Sequence, residues 1–337
     1  MKNKIKLIAE TAWHHEGDFE FIKVLSEKIL SDSKADIIKF HLLLDIDEYI
    51  DRNYSLFNTL NKWMLKKEQL EFLLELTINN EKELMLLFND KKSVDFGMKF
   101  NPYLIEVHST CLNDIHLLEH IRNNISKTQK IVLGVGGSTL YEIENAIEIL
   151  QSKNIILMFG FQNYPTEYAN INLRKVKKIM QMFPDFEYGF ADHTAWNEKN
   201  NVLITLLEAT LGMNYIEKHV THRFGVERCD WQAAITIEMF NEIADKLRIL
   251  EQLNGDGLLG LNAGEKKYST FGPMKKAPFI SKDVTENDFL TLDNLIFKRS
   301  NQESDLSQLD VLEKIGSKFR RNLKANSILN SSHFTRE

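Results

Sequence analysis

Only two cysteines, Cys111 and Cys229, occur in 337 residues. A chain of this size with so few thiols has no disulfide framework, and a reducing cytoplasm is its expected compartment. Long apolar runs are missing as well. No stretch approaches the roughly 20 apolar residues that cross a bilayer, so no membrane span is expected. The opening MKNKIKLIAETAW starts basic, but Glu10 cuts its apolar run short. That is too soon for a signal segment and reads better as a first strand. No segment gathers Lys and Arg into a stripe, and the formal net charge is -6 with a pI near 6.0. No nucleic-acid partner is therefore expected. Internal repeats beyond a strand–helix period are absent too. What remains is a chain with 43% hydrophobic residues, enough to bury one large core and a small second domain.

Short apolar, β-branched runs recur through that chain, with longer amphipathic stretches between them. The runs predict strands at 5–9, 36–40, 84–88, 104–108, 131–135, 155–159, 187–190 and 214–218. Helical patterns lie between them, such as Phe19–Leu30, Lys67–Ile78, Leu140–Leu150, Leu173–Met182 and Asn201–Leu211. Strand alternating with helix indicates parallel βαβ units, and eight of them indicate a closed (β/α)8 TIM barrel over residues 1–250. A doubly wound open sheet is the alternative, with fewer strands expected in this length. After a helix at Ile237–Leu250, residues 251–272 are rich in Gly and turn formers and read as a linker. Residues 273–337 change character, with short strands and turns followed by polar chain, and read as a small β-rich domain.

In such a barrel the active site lies at the C-terminal ends of the strands. Those ends carry Glu10, Lys39 with His41, His108 with Ser109, Gln162-Asn163-Tyr164-Pro165, Asp192-His193 and Glu217-Lys218-His219. Core packing alone does not require so many acids, bases and imidazoles. His193 and His219 come from adjacent strand ends and are each flanked by an acid, Asp192 and Glu217. Two imidazoles with oxygen ligands completing the shell suit a divalent cation such as Mn²⁺, and Zn²⁺ and Fe²⁺ also fit. Such an ion would polarise a substrate carbonyl. Read singly, each histidine is better explained as a hydrogen-bonded rim residue; two on neighbouring strand ends, each flanked by an acid, reverse that. Glu10 is either a general base, an anchor for a substrate hydroxyl, or a carboxylate paired with a lysine. Lys39, inside an apolar strand, needs a partner: Glu10, Glu217 or an anionic substrate. The Gly134–Thr139 turn runs from strand to helix, where backbone N–H groups can hold an anion, a weak signal by itself. Trp13 and Trp196 beside the site read mainly as packing residues.

Several of these motifs together resemble the N-acetylneuraminate (sialic acid) synthase family. IAETAWHHEGD is similar to its opening motif, IIKF to its second-strand lysine motif, and NYPT to its YPTP turn. FADHT is similar to its SDHT motif, IEKHVT to its IE(K/R)HFT motif, and Cys229-Asp230 to its proline-aspartate step. NAGEKKYSTF resembles its linker, and SKDVTENDFLTLDNLIFKR its C-terminal antifreeze-like (SAF) domain. The resemblance runs in order from residue 5 to about 325. It implies condensation of phosphoenolpyruvate with an N-acylated amino sugar aldehyde, in surface glycan biosynthesis. It further implies a divalent metal, usually manganese, on His193 and His219. Glu10, Lys39, Glu217 and Asp230 take the catalytic positions. His41, Ser109, Gln162, Tyr164 and Phe271 take substrate-binding positions. Arg299 matches an SAF-domain arginine that reaches the active site of a partner subunit, which implies a domain-swapped homodimer.

The departures from the family pattern cluster. Glu106 stands where the family has a lysine on the phosphate, Gly134 belongs to a turn that loses a serine, and Ala191 replaces another serine. The motif asparagine appears as Gln162, or as Asn163 on an alignment shifted by one, while His14 and His41 replace an asparagine and a glutamine. Nearly all of these belong to the phosphate subsite, whereas the metal half is almost intact. A Lys→Glu change beside a phosphate exchanges attraction for repulsion, several kcal/mol in a dry site. Three readings follow. One is a synthase with a phosphate pocket rebuilt around His14, His41 and His108. The second is a metal-dependent barrel aldolase or lyase with another donor, and the third a non-catalytic sugar-binding homologue.

Overall fold

The computed structural model describes residues 4–160, 163–267 and 275–335. The chain divides into two compact units, Met1–Asp256 and Gly257–Glu337. In the first, eight parallel strands close into a barrel: β1 Lys6–Glu10, β2 Ile37–Leu42, β3 Glu83–Phe88, β4 Leu104–Val107, β5 Lys130–Gly134, β6 Ile155–Phe159, β7 Glu187–Asp192 and β8 Tyr215–His219. Closure is made by β8 against β1, with Tyr215 opposite Lys6 and His219 opposite Glu10. The doubly wound alternative is thereby excluded. Each expected strand is found within two residues of its expected bounds, because these runs are short, apolar and bounded by turn formers.

Helices cover the outside, and their starts follow from side-chain caps. Asp18 caps the helix Phe19–Asp32, Asp114 caps Ile115–Asn124, and Thr139 forms a capping box with Glu142 at Leu140–Leu150. The helix expected to end at Leu250 runs on to Asn254. It stops at Gly255, whose φ of +64° suits glycine. A short helix, Ala263–Lys266, also lies inside the stretch read as linker, capped by Asn262.

Strand alternation sorts the barrel residues into two sets. Leu7, Ala9, Ile38, Phe40, Leu86 and Phe88 face the helices and form the main core. Ile8, Ile37, Met85, Leu104, Val132, Ile156, Met158, Ala191 and Tyr215 fill the interior. Toward the N-terminal end of the strands, Lys6 pairs with Glu83 at 2.6 Å and Lys130 with Glu187 at 2.8 Å. The apolar layer thus separates a structural set of charges below from the polar residues above.

The second unit pairs β9 (Ala277–Ile280) with β10 (Leu295–Lys298) in antiparallel register. Further bridges, Val284 to Leu323 and Phe319 to Phe334, hold its own core of Ile280, Leu290, Phe319, Leu329 and Phe334. Chain expected to be polar after Arg299 therefore supplies most of that core. Its apolar residues are too widely spaced to register as a strand or helix period.

Candidate active site

The parallel register brings the polar strand ends together. Glu10 on β1 lies opposite Lys39 on β2 and His219 on β8. With Glu106, His41, His108, Met158, Tyr164, His193, Glu217 and Asp230, these residues line one small pocket of about 30 Å³ at the C-terminal end of the barrel. The space is small enough for its polar groups to act on a single ion or atom.

One ammonium serves three carboxylates there. Lys39 Nζ lies 2.5 Å from Glu10, 2.5 Å from Glu106 and 3.0 Å from Glu217, and all four side chains are buried. Both partners weighed for Lys39 from the sequence are present, and Glu106 joins them. Burial opposes a charged lysine, but the three carboxylates hold its pKa well above the usual value. Burial also opposes ionisation of Glu10, yet Lys39 and then His41, 2.7 Å away, keep its carboxyl well below the ordinary range. For Glu106 and Glu217 burial wins over the attraction of Lys39 and pushes both upward. The charge count explains the split: three carboxylates against one ammonium leave a surplus that a dry pocket relieves by protonation.

The second half of the pocket is imidazole. His193 and His219 rings lie 4.9 Å apart, and the Tyr164 ring stands edge-on to His193 at 4.9 Å. Nδ1 of His193 donates to the Ala191 carbonyl at 2.9 Å, a bond that leaves the lone pair of Nε2 free. Burial pushes His193 down to about 4 and His14 to about 4, so both rings are neutral at neutral pH. Ligand atoms of His14, His219 and Asp230 lie within 4.8 Å of one another. Nδ1 of His219 makes no hydrogen bond among the described residues, and His14 has at most the Cys229 backbone as a partner. Neutral imidazoles with a free lone pair beside a carboxylate fit a divalent cation.

Some sequence expectations change. Asp192 does not face the pocket. It points outward, pairing with the buried Lys218 at 2.9 Å and accepting from Thr194 and Thr205 at 2.6 and 2.5 Å. Alternation puts Ala191 and His193 inside and Asp192 between them outside, so this acid anchors β7, β8 and the helix Asn201–Ala209. The Gly134–Thr139 turn does not present a free helix N-terminus. The N–H of Thr139 donates to Glu142 at 2.7 Å and that of Glu142 to Thr139 at 3.3 Å. Ser109 is outside the pocket lining, where His108 stands instead. Gln162 and Phe271 lie outside the described residues. Arg299 is exposed and follows β10 in the second unit. The residue sequence reasoning undervalued is His14, read as a phosphate-site replacement. The signal for it was the His14–His15 pair at a strand exit, but the β1–β8 register that aims it at His219 is not written locally.

An eight-stranded barrel with an imidazole and carboxylate cluster at its C-terminal mouth defines a class, the TIM barrels with a polar site at their strand ends. The chain belongs within it to the NeuB family, whose model matches residues 31–258. It is 26% identical to the N,N'-diacetyllegionaminic acid synthase of Campylobacter jejuni over 94% of this chain and 96% of that protein. A putative spore coat polysaccharide biosynthesis protein E from Chromobacterium violaceum shares the fold with a TM-score of 0.83 at 18% identity, covering 99% of this chain and 100% of that one. The N-acetylneuraminic acid synthetase of Leptospira borgpetersenii, solved with citrate, gives 0.70 at 22% identity over 79% of this chain and 90% of its own. Among the described residues no helix is long and apolar enough to cross a membrane.

Proposed function

We propose that the protein is a nonulosonate synthase, condensing phosphoenolpyruvate with the open-chain aldehyde of an N-acylated amino sugar in surface glycan biosynthesis. The observation that carries this reading is the convergence of His193, His219, Asp230, Glu10 and Lys39 on one pocket in a NeuB-family barrel. His193 and His219 would hold the divalent cation, taken as Mn²⁺, with Asp230 beside them. When bound, that ion polarises the aldehyde carbonyl. Glu10, kept ionised by Lys39 and His41, accepts a hydrogen bond from a sugar hydroxyl. Lys39 and Glu217 order the donor end, and Tyr164 closes the pocket against the imidazoles. Ser109, Gln162 and Phe271 complete substrate binding at the rim. Residues 273–337 act as an SAF domain, exchanged between the subunits of a cytoplasmic homodimer, so that Arg299 serves the neighbouring barrel.

A second reading, a donor without a phosphate at this position, is favoured by one contact. Glu106 lies 2.5 Å from Lys39 and so competes with any anion for the pocket's ammonium. The test is phosphate release from phosphoenolpyruvate with a panel of N-acyl amino sugars and added Mn²⁺, Co²⁺ or Zn²⁺. Turnover with any sugar supports the first reading. Its absence with every sugar, alongside tight metal binding, transfers support to the second.

A further inference from the structure

His14 and His15 follow one another out of β1 and have different fates. His15 is used by the loop itself, its Nδ1 accepting from the Gly17 N–H at 2.9 Å. His14 is buried, stands 5.9 Å from the His219 ring, and has at most the Cys229 backbone as a hydrogen-bond partner at one nitrogen. A carbonyl can only accept the ring's N–H, so the other nitrogen keeps a buried, unpartnered lone pair that a cation would satisfy. Its surroundings are also held firmly. Arg228 donates to the carbonyls of His14 and His15 at 3.2 and 3.3 Å, and the Cys229 N–H donates to Glu16 at 2.8 Å. These bonds lace the loop after β8 to the loop after β1, and Asp230, the next residue, takes a left-handed φ of +60°. The result is that His14, His219 and Asp230 offer ligand atoms within 4.8 Å of one another, from two loops and a strand.

We propose that His14 is a metal ligand, and that with His219, Asp230 and the neighbouring His193 it forms a nitrogen-rich sphere that selects a late first-row cation such as Co²⁺ or Zn²⁺ over Mn²⁺. The inference rests on the cation site of the proposed function and deepens it. Imidazole nitrogen gains affinity along the series from Mn²⁺ toward Zn²⁺ faster than water or carboxylate oxygen does. Each oxygen ligand exchanged for imidazole therefore widens the gap between these ions. Arg228 and Glu16 are positioning residues for the set, acting through the two loops.

The experiment uses the full chain stripped of metal with a chelator, titrated with Co²⁺, Zn²⁺ and Mn²⁺ by calorimetry, with the visible absorption of the Co²⁺ form recorded in parallel. His14→Asn is expected to weaken Co²⁺ and Zn²⁺ binding by at least about tenfold, to weaken Mn²⁺ binding by clearly less, and to change the Co²⁺ spectrum. His14→Gln should repeat this pattern. Thermal midpoints of the metal-free proteins, equal to wild type, show that a ligand and not the fold was lost. Unchanged Co²⁺ affinity and spectrum in both variants, with binding abolished in His219→Ala, overturns the role of His14 and leaves the cation site standing. No binding of any cation by the wild-type chain overturns both.

Discussion

Replacing Lys39 by Met removes the ammonium, the only one lining the pocket among the described residues, that has the carboxyls of Glu10, Glu106 and Glu217 within 2.5 to 3.0 Å. In the wild type Glu10 has a depressed pKa, so its ionisation contributes stability above the ordinary carboxylate range. That contribution is lost as pH falls through the folded value. In the variant the dry pocket must shed about one negative charge, and one more carboxyl stays protonated when folded. A carboxyl with its folded pKa raised above an unfolded value of 4.5 has the opposite effect, costing stability progressively as pH climbs past that value. Each pH unit contributes about 1.4 kcal/mol per proton, which gives a loss of about 1.4 kcal/mol near pH 5.5 and about 4 kcal/mol near pH 7.5. The second figure agrees with the roughly 3–5 kcal/mol for stripping one partner from a buried ion pair. Urea unfolding in the presence of a chelator, repeated across that pH range, measures the slope. The double variant Lys39→Met/Glu10→Gln lacks the carboxyl that Lys39 keeps ionised and should lose most of the added slope. A destabilisation of the single variant that does not change with pH refutes the charge argument.

Asp192→Ala leaves Lys218 buried and unpaired outside the barrel wall; it should cost about 3–5 kcal/mol in urea unfolding while calorimetric metal stoichiometry stays as in the wild type. Gly160→Ala places a Cβ 2.3 Å from the Ala191 carbonyl oxygen at a φ of +140°. It should lower stability by at least about 2 kcal/mol, read as a fall in thermal midpoint. Glu106→Gln removes the carboxyl 2.5 Å from Lys39 Nζ that competes with an anionic donor for that ammonium. The KM for phosphoenolpyruvate should therefore fall by more than about tenfold, and an unchanged KM places the phosphate elsewhere.

The barrel was legible because each strand is a compact apolar run and the period of strand and helix repeats eight times. The helices Leu140–Leu150 and Leu173–Met182 fall where their patterns start and stop. Short helices such as Ile46–Tyr49, Phe57–Trp63 and Lys91–Gly97 were not legible, since one or two turns leave no measurable period. In the site, position at a strand end gave the list of polar residues but not their direction. Asp192 and Glu217 look alike in sequence, each beside a histidine. Asp192 precedes His193 and faces out, whereas Glu217 lies two before His219 and faces in. One residue of register separates a structural acid from a pocket acid. His14 shows the same limit, because its partner lies across the closing β1–β8 seam.

The two halves of the pocket make one electrostatic argument, and it fixes an order of binding. Lys39 is fully engaged by carboxyl groups, so an anionic donor arriving alone meets no open ammonium. Neutral imidazoles at His14, His193 and His219 attract a cation but do nothing by themselves for an anion. A donor bearing carboxylate and phosphate should therefore bind strongly only after the cation has entered. Calorimetric titration of phosphoenolpyruvate into chelated and metal-loaded protein tests this. The expected difference is at least about a hundredfold, equivalent to about 2.7 kcal/mol. By reciprocity, the donor should tighten the cation by the same factor. Donor affinity that is equal with and without metal would mean that Lys39 is released from Glu106 on binding, and that the carboxylate cluster does not decide what enters.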